Sequence, residues 1–310
     1  MSFDVISLRE DGTMCHYGSF AAERDLQESS QVPPPDQMAK GLKMKVRDKA
    51  VVVTGAGNGI GRELVLCLLS RGARVAGVDL NPDTLEETAK LASGFENRFS
   101  GFIADIADIT AVQALREQVA AHFGAVDGLI NNAGIIQPFT KLNDLEYPAI
   151  ERVVTVNLLG TLYVTKAFLP HLLTRPEAHI ANLSSMGGFV PVPGQTMYCA
   201  AKAAVKLMSE GLASELLNTT IRVTVVFPGA IATNITANSG VSIRTNGEAS
   251  GGMKALSPTK AAEIIVNGIE RNAYHLFVGR DAALMDKLYR LSPAFTARLI
   301  ANKMRALLHG

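Results

Sequence analysis

Short apolar runs alternate with longer helical patterns along most of this 310-residue chain. Strands rich in β-branched residues are predicted at 50–54, 74–79, 99–104, 126–131, 178–183, 221–227 and 275–279. Amphipathic or apolar helices are predicted near 60–71, 82–92, 110–123, 144–173, 197–217 and 258–271. Strands without a polar face are buried on both sides, and each parallel crossover needs a helix. The alternation therefore predicts a doubly wound α/β fold, a seven-stranded parallel sheet with helices on both faces.

The two ends of the chain differ from this pattern. Residues 1–43 are polar, mixed in charge and interrupted by three prolines, so we predict a disordered N-terminal extension. The regular pattern begins at Met44, which is therefore a hypothetical functional start. Residues 44–280 are predicted to form a single domain. Residues 281–310 are predicted to form an amphipathic C-terminal extension, which Pro293 breaks into two helices.

Composition excludes several classes of protein. The formal net charge of +1 gives no reason to expect a nucleic-acid partner. The three cysteines are widely spaced and the six histidines lack metal-ligand spacing, so neither a disulfide framework nor a metal site is predicted. No run reaches the roughly 18 uncharged residues of a membrane span, and no signal peptide is evident. A cytoplasmic location is expected from these features.

A glycine-rich loop, TGAGNGIG, follows the first predicted strand and opens a helix. Gly55, Gly59 and Gly61 allow a tight turn and a close approach to a pyrophosphate, which the helix N-terminus stabilises. Asp79 ends the second strand, where an acid that binds the ribose of a dinucleotide is expected. A phosphate-binding P-loop is excluded because Arg62 and Glu63 stand where its Lys-Ser/Thr pair is required. A tight turn without a ligand is the remaining alternative.

Asp79 also bears on the choice of cofactor. Its carboxylate can accept hydrogen bonds from both ribose hydroxyls of NAD, but it repels the 2′-phosphate of NADP. Neither Asn58 nor Leu80 supplies a compensating cation. The sequence therefore favours NAD over NADP.

Four motifs in this order resemble those of the short-chain dehydrogenases/reductases. They are TGAGNGIG (54–61), NNAG (131–134), Ser185 thirteen residues before the tyrosine of YCAAK (198–202), and PGAIAT (228–233). The resemblance covers about residues 48–280 and implies a Rossmann fold that binds NAD.

The resemblance implies a catalytic set of Asn157, Ser185, Tyr198 and Lys202. Tyr198 and Lys202 are four residues apart and share one helix face. A nearby cation lowers the pKa of a phenol, so Lys202 is expected to lower that of Tyr198. Tyr198 then exchanges a proton with a substrate alcohol or ketone, while Ser185 hydrogen-bonds the substrate oxygen. Asn157 is expected to hold a water behind the lysine; Ser184 is the alternative hydroxyl to Ser185.

The glycine loop and the resemblance together imply a set of cofactor contacts. In chain order these are Gly55, Asn58, Gly59, Ile60, Gly61, Asp79, Leu80, Asp105, Ile106, Asn132, Ala133, Gly134, Tyr198, Lys202, Pro228, Gly229, Ile231 and Thr233.

The expected substrate pocket beside Ser185 contains no charge over residues 186–197. Because acidic substrates normally recruit an arginine or lysine, a neutral, partly apolar secondary alcohol or ketone is predicted. Residues 234–255 predict a lid over the substrate, with a plain linker as the alternative. Arg244 or Lys254 could bring a charge to the pocket when the lid closes.

Partners and the C-terminal extension leave alternatives open. The resemblance implies a homo-dimer or homo-tetramer formed through helices 144–173 and 197–217. The C-terminal helices could pack over the substrate entrance, join a subunit interface or contact a membrane surface, and the last role is not favoured. The alternative function is a catalytically silent NAD-binding regulator or scaffold. Retention of all four catalytic residues argues against it.

Overall fold

The computed structural model of the protein describes residues 6–8, 14–16, 44–95, 97–241 and 255–304. The chain divides into two units, Met1–Leu42 and Lys43–Gly310. In the first unit, strand β1 (Ile6–Leu8) pairs with strand β2 (Met14–His16) in antiparallel orientation. These six residues of the predicted disordered extension thus form a strand pair; the rest of 1–43 lies outside the described residues.

A seven-stranded parallel sheet forms the centre of the second unit. Its strands are β3 (Ala50–Thr54), β4 (Arg74–Asp79), β5 (Phe99–Ile103), β6 (Gly128–Asn131), β7 (Ala178–Leu183), β8 (Ile221–Pro228) and β9 (His275–Val278). The strand order is β5-β4-β3-β6-β7-β8-β9, and every neighbouring pair is parallel. The predicted doubly wound fold and its seven strands are confirmed.

Helices connect the strands and continue beyond the last one. They are α1 (Gly59–Ser70), α2 (Pro82–Leu91), α3 (Ile109–Phe123), α4 (Tyr147–Val154), α5 (Thr161–Leu173), α6 (Thr196–Glu215), α7 (Ile235–Asn238), α8 (Pro258–Glu270), α9 (Arg280–Leu291) and α10 (Pro293–Lys303). A π-helical turn, Thr155–Gly160, joins α4 to α5 without a break. The predicted break at Pro293 is confirmed, since this residue starts α10, where a missing N–H costs nothing.

Two apolar cores lie on the two faces of the sheet because strand side chains alternate between faces. Val51 and Val53 of β3 face a core shared with α1 and α8, whereas Ala50 and Val52 face a core shared with α3 and α5. All five residues of β3 are buried. This burial explains why β3 is apolar on both faces, whereas no residue of the edge strand β5 is fully buried.

Short polar side chains begin the helices that follow three of the strands. Asn58, Asn81 and Asp108 each accept a hydrogen bond from a backbone N–H in the first turn of α1, α2 and α3. Such caps satisfy donors that have no partner within the helix. The chain therefore turns into a helix directly after β3 and β4, and the helix N-termini gather at the carboxyl edge of the sheet.

The continuous helix Tyr147–Leu173 is long and apolar enough to cross a membrane by length and composition. It contains no uncharged run of about 18 residues, because Glu151, Arg152 and Lys166 interrupt the sequence. Its residues Val164 and Phe168 are fully buried in the core shared with α3. A helix packed on a sheet meets the same test, so the finding is weak evidence for a membrane span.

Candidate functional site

A cavity of about 1000 Å³ opens at the carboxyl edge of the sheet. Its walls come from the ends of six consecutive strands and the loops after them, with lining residues within 55–60, 78–84, 104–107, 132–136, 183–185 and 228–233. In open parallel sheets, ligands bind at this edge near the switch in strand order. The switch lies between β3 and β6 in this protein.

The glycine loop after β3 lies against the loop after β6. Gly55 has a φ of +67°, and a Cβ there would lie 2.9 Å from the Ala133 Cα atom. The Thr54 hydroxyl accepts hydrogen bonds from the backbone N–H groups of Asn132 and Ala133, both at 3.1 Å. The Asn132 amide donates to the Thr54 carbonyl at 2.9 Å. Thr54, the first residue of the TGAGNGIG motif, is therefore a structural support of the site, a role that the sequence alone did not assign.

Asp79 lies at the end of β4 and lines the cavity. One carboxylate oxygen accepts the Gly57 N–H at 2.8 Å, and the other accepts the Asn81 N–H at 3.0 Å. The nearby Arg62 guanidinium donates to the Gly57 carbonyl at 2.6 Å and pairs with Glu87 at 2.7 Å. Arg62 is absent from the cavity lining. Asp79 thus presents its charge to the cavity while this cation is held outside it.

Almost all the predicted cofactor contacts line this one cavity. The exception is Gly61, where a Cβ would overlap the Gly55 carbonyl oxygen. Gly61 therefore allows the first turn of α1 to pack on the glycine loop instead of facing the cavity. The residues that do line it are Gly55, Asn58, Gly59, Ile60, Asp79, Leu80, Asp105, Ile106, Asn132, Ala133, Gly134, Tyr198, Lys202, Pro228, Gly229, Ile231 and Thr233.

Ser185, Tyr198 and Lys202 meet in the same cavity. Ser185 follows β7, and its hydroxyl accepts the Gly187 N–H at 3.0 Å and hydrogen-bonds Tyr198. Ser184, by contrast, donates its hydroxyl to the Lys202 carbonyl at 2.7 Å in a buried bond. The geometry therefore favours Ser185 over Ser184 as the hydroxyl that faces the tyrosine.

The pKa values of the tyrosine and the lysine differ from the expectation. Burial raises the pKa of Tyr198, although the hydrogen bond with Ser185 opposes the shift. Burial lowers the pKa of Lys202 to about 8. The Lys202 ammonium donates to the Leu183 carbonyl at 2.9 Å, and its charge is not among the causes of the tyrosine shift. The expected lowering of the Tyr198 pKa by Lys202 is therefore not found, because desolvation dominates here.

Asn157 is fully buried in the π-helical turn and lies behind the cavity wall. Its side chain accepts the Ile135 N–H at 2.9 Å and donates to the Ile135 carbonyl at 2.8 Å. A Cβ on Gly134 would lie 2.8 Å from the Asn157 Oδ1 atom and 3.2 Å from the Lys202 Nζ atom. Gly134 therefore occupies the narrow space between these two side chains. π-helical turns of this kind are frequent at functional sites.

The first part of the predicted lid closes one side of the cavity. Ile235 and Asn238 of α7 line it, and the Asn238 side chain accepts a hydrogen bond from Asn58 at 3.3 Å. The Ser239 hydroxyl accepts the Ile136 N–H at 2.9 Å. Residues 242–254, including Arg244 and Lys254, lie outside the described residues.

Two further side chains qualify the sequence predictions. Arg152 of α4 lines the cavity, although no motif identified it, because only the packing of α4 brings it there. Burial raises the pKa of the Cys199 thiol, so this cysteine next to the tyrosine is a packing residue and not an activated nucleophile.

Comparison with known proteins agrees with this geometry. Residues 49–242 match the family model of the short chain dehydrogenases. SadH of Mycobacterium tuberculosis, which carries the name of an oxidoreductase, is 39% identical over 260 residues, covering 82% of this chain and 94% of SadH. A short-chain dehydrogenase/reductase of Burkholderia phymatum in complex with NAD has the same fold, with 23% identity, a TM-score of 0.73 and coverage of 81% of this chain and 96% of its own.

A second solved structure contains the other form of the cofactor. It is a short-chain dehydrogenase of Burkholderia cenocepacia in complex with NADP, with 25% identity and a TM-score of 0.70, covering 83% of this chain and 99% of its own. The family model spans more than half of the chain, and SadH is similar over almost its whole length. The chain therefore belongs to the short-chain dehydrogenase/reductase family of oxidoreductases.

Proposed function

We propose that the protein transfers a hydride between NAD and a neutral, partly apolar secondary alcohol or ketone, with Tyr198 as the proton acceptor or donor. One observation carries the proposal. Ser185, Tyr198 and Lys202 line the same cavity as the glycine loop and Asp79, so a reactive centre and a dinucleotide site are continuous.

The residues present fit a dinucleotide. Gly55, Gly59 and Ile60 line the cavity at the N-terminus of α1, which suits a pyrophosphate. Asp79 and Asn58 both line the cavity, where they could contact a ribose. The negative charge of Asp79 supports NAD over NADP, because it would repel a 2′-phosphate. When bound, NAD supplies the hydride acceptor, and NADH supplies the hydride.

The chain's own residues handle the proton. In reduction, Tyr198 gives its hydroxyl proton to the carbonyl oxygen as the carbon gains a hydride, and the tyrosinate then regains a proton from solvent. Ser185 donates a hydrogen bond to the same oxygen, where negative charge develops. Because burial raises the pKa of Tyr198, the phenol is protonated at neutral pH in this structure, which supports reduction there and oxidation at higher pH.

The lining beside the tyrosine supports a neutral substrate. Ile135, Ile136 and Ile235 give the cavity apolar surface. Residues 186–197, the expected pocket wall, contain no charge but are not among the residues that line this cavity, so the apolar surface comes from other segments. Apart from Lys202, Arg152 is the one cation of the lining within the described part of the chain. Turnover restricted to phosphorylated or acidic substrates, and lost in Arg152→Ala, would contradict this substrate class.

A homo-oligomer is also proposed. Leu162 of α5 and Leu207 of α6 are 38% and 69% exposed, and such leucines are suited to packing against a second copy of the chain. The helices α9 and α10 also expose Leu291 and Phe295. Helix α9 packs against β9 and against residues 186–188, which supports a packing role for these helices, and contact with a membrane stays the less favoured alternative.

The test compares wild type with Tyr198→Phe, using both NAD and NADP over a panel of neutral secondary alcohols. We expect turnover with NAD and a loss of kcat of about 10²- to 10⁴-fold in the variant, with NADH binding retained. Tyr274→Phe is the matched control, since Tyr274 is half exposed and does not line the cavity. NADH binding without turnover by wild type would favour the silent regulator, and equal activity of Tyr198→Phe would refute the role of the tyrosine.

A further inference from the structure

Gln137 is a fully buried side chain six residues after β6 that the catalytic set does not include. Its Oε1 atom accepts hydrogen bonds from the backbone N–H groups of Met197 at 2.9 Å and Tyr198 at 3.1 Å. Its Nε2 atom donates to the Gly194 carbonyl at 3.0 Å. The Gln195 side chain donates to the Gln137 carbonyl at 2.8 Å. One amide therefore joins the loop after β6 to the start of α6.

These bonds satisfy groups that the helix itself cannot satisfy. The first N–H groups of a helix have no partner within it. The residue before α6, Gln195, makes no side-chain cap to this helix. Gln137 supplies the missing acceptor from about 60 residues away in sequence. Because it is fully buried, water cannot easily replace it, and an unpaired buried N–H is costly.

The same loop is fixed on its other side. Ile135 exchanges two hydrogen bonds with the Asn157 side chain, and Ile136 donates to Ser239. The loop 135–137 therefore contacts three elements. Ile135 bonds the π-helical turn, Ile136 bonds the segment after α7, and Gln137 bonds the start of α6. Of these three residues, Gln137 is the one that accepts the backbone N–H of the tyrosine itself.

We propose that Gln137 is a positioning residue that sets the tyrosine against Ser185 and the substrate oxygen; this rests on the function proposed above. A displacement of about 1 Å at a reacting group can cost about 100-fold in rate. Gln137 is not among the residues that line the cavity, so it acts through Tyr198 and not on the cofactor. Loss of its side-chain bonds therefore affects kcat much more than NADH affinity.

Gln137→Met keeps the length of the side chain but removes its three hydrogen bonds. We expect kcat to fall by about 10- to 100-fold, with the Kd for NADH changed less than about threefold. The matched control is Gln195→Met, which removes a buried amide from the same pair of segments without touching the Tyr198 backbone. We expect that control to keep kcat within about threefold of wild type.

Gln137→Glu provides a readout that does not depend on turnover. The carboxylate can still accept the two N–H groups, but it adds a negative charge beside the Tyr198 backbone and so disfavours the phenolate. An ultraviolet titration of tyrosine ionisation, taken as the difference from a Tyr198→Phe background, is expected to move to higher pH in Gln137→Glu. The alkaline limb of the oxidation rate is expected to move in the same direction.

The outcomes separate this inference from the proposed function. Unchanged kcat in a folded Gln137→Met would overturn the inference, and so would a kcat for reduction in Gln137→Glu as low as in Gln137→Met, because the glutamate keeps the two accepted bonds. Should Gln137→Met fail to fold, Gln137→Asn, whose amide is one methylene shorter, takes its place in the same measurements. Wild type that binds NADH without turnover would contradict the proposed function, whereas the titration shift in Gln137→Glu would still show that this side chain lies beside Tyr198.

Discussion

Lys202 is an ammonium group buried in the cavity wall, with burial as the sole cause of its lowered pKa of about 8. Its hydrogen bond to the Leu183 carbonyl is with a neutral group. A buried charge without a partner of opposite sign opposes folding. Lys202, one of the predicted cofactor contacts, is therefore held in place at a cost in stability.

Lys202→Met is expected to abolish turnover but to leave the free energy of unfolding at pH 7 unchanged or higher by up to about 2 kcal/mol. The wild-type lysine is protonated in both states below pH 8. Between about pH 8 and 10, the unfolded state binds the proton that the folded state has lost, so this group makes wild-type stability rise with pH. Urea unfolding at several pH values checks whether the variant lacks this rise.

Lys206→Met is the control for that measurement. Lys206 lies one turn further along α6, and its ammonium pairs with Glu210 at 2.9 Å. Removal of this partly exposed pair is expected to change stability by less than about 1 kcal/mol, with no gain at any pH. A drop in stability in Lys202→Met that is larger than in Lys206→Met would contradict the idea that the buried ammonium opposes folding.

At the scale of elements, helix α9 is joined to the cavity wall through Asp281. The Asp281 carboxylate accepts the Ala230 N–H at 2.7 Å, and Ala230 lines the cavity next to Gly229. Any side chain on Gly229 would overlap the carboxylate. The first turn of the C-terminal helices therefore holds the segment 228–233, which contains four of the predicted cofactor contacts.

Asp281→Ala is expected to raise the Kd for NADH by about tenfold, because a hydrogen bond to a charged group contributes about 1.5 kcal/mol or more. Titration of NADH fluorescence measures the change. Asp286→Ala is the matched control, since Asp286 pairs with Arg290 on the same helix and does not touch the cavity wall. Equal NADH affinity in both variants would show that α9 does not hold the segment.

Local patterns were sufficient to predict most elements. The strand runs were continuously apolar, and Pro293 ended a helix because of its own covalent structure. The predicted strand at 275–279 ends at Val278 because Gly279 has a φ of +115°. The π-helical turn Thr155–Gly160 was not predicted, since its sequence, TVNLLG, does not differ from that of an ordinary apolar helix.

The residues of the site also divide into those that local patterns predict and those that they do not. The glycine loop, Asp79 and the Tyr198/Lys202 pair have spacings in the sequence that indicate their chemistry. Gln137 and Asp281 each depend on a backbone group far away in sequence, so no local pattern distinguishes them from ordinary polar residues. The pKa of Tyr198 was predicted in the wrong direction because burial, which one sequence does not display, is the largest cause of the shift and the Lys202 charge is not among the causes.

At the scale of the whole molecule, the proposed oligomer can be tested at Leu207. This leucine is 69% exposed on α6, one of the two helices expected to meet a second copy. Leu207→Glu is expected to shift the protein toward monomer in sedimentation experiments, because a carboxylate cannot be buried without a partner. Leu91→Glu on α2, where the leucine is 56% exposed, is expected to leave the assembly unchanged. A monomeric wild type would contradict the proposal.

The uninterrupted sheet has a mechanical consequence for turnover. Asp79 and Tyr198 belong to opposite halves of the cavity, and the halves are joined where β3 pairs with β6 through Val51 to Val53. A hinge between β3 and β6 would break the hydrogen bonds that join these two strands, which lie between the two apolar cores. The Ile136–Ser239 and Asn58–Asn238 contacts, by comparison, are single hydrogen bonds at one side of the cavity. We therefore expect ligands to enter and leave by the opening of this side, and this local motion, without movement of the sheet, to limit the rate of turnover.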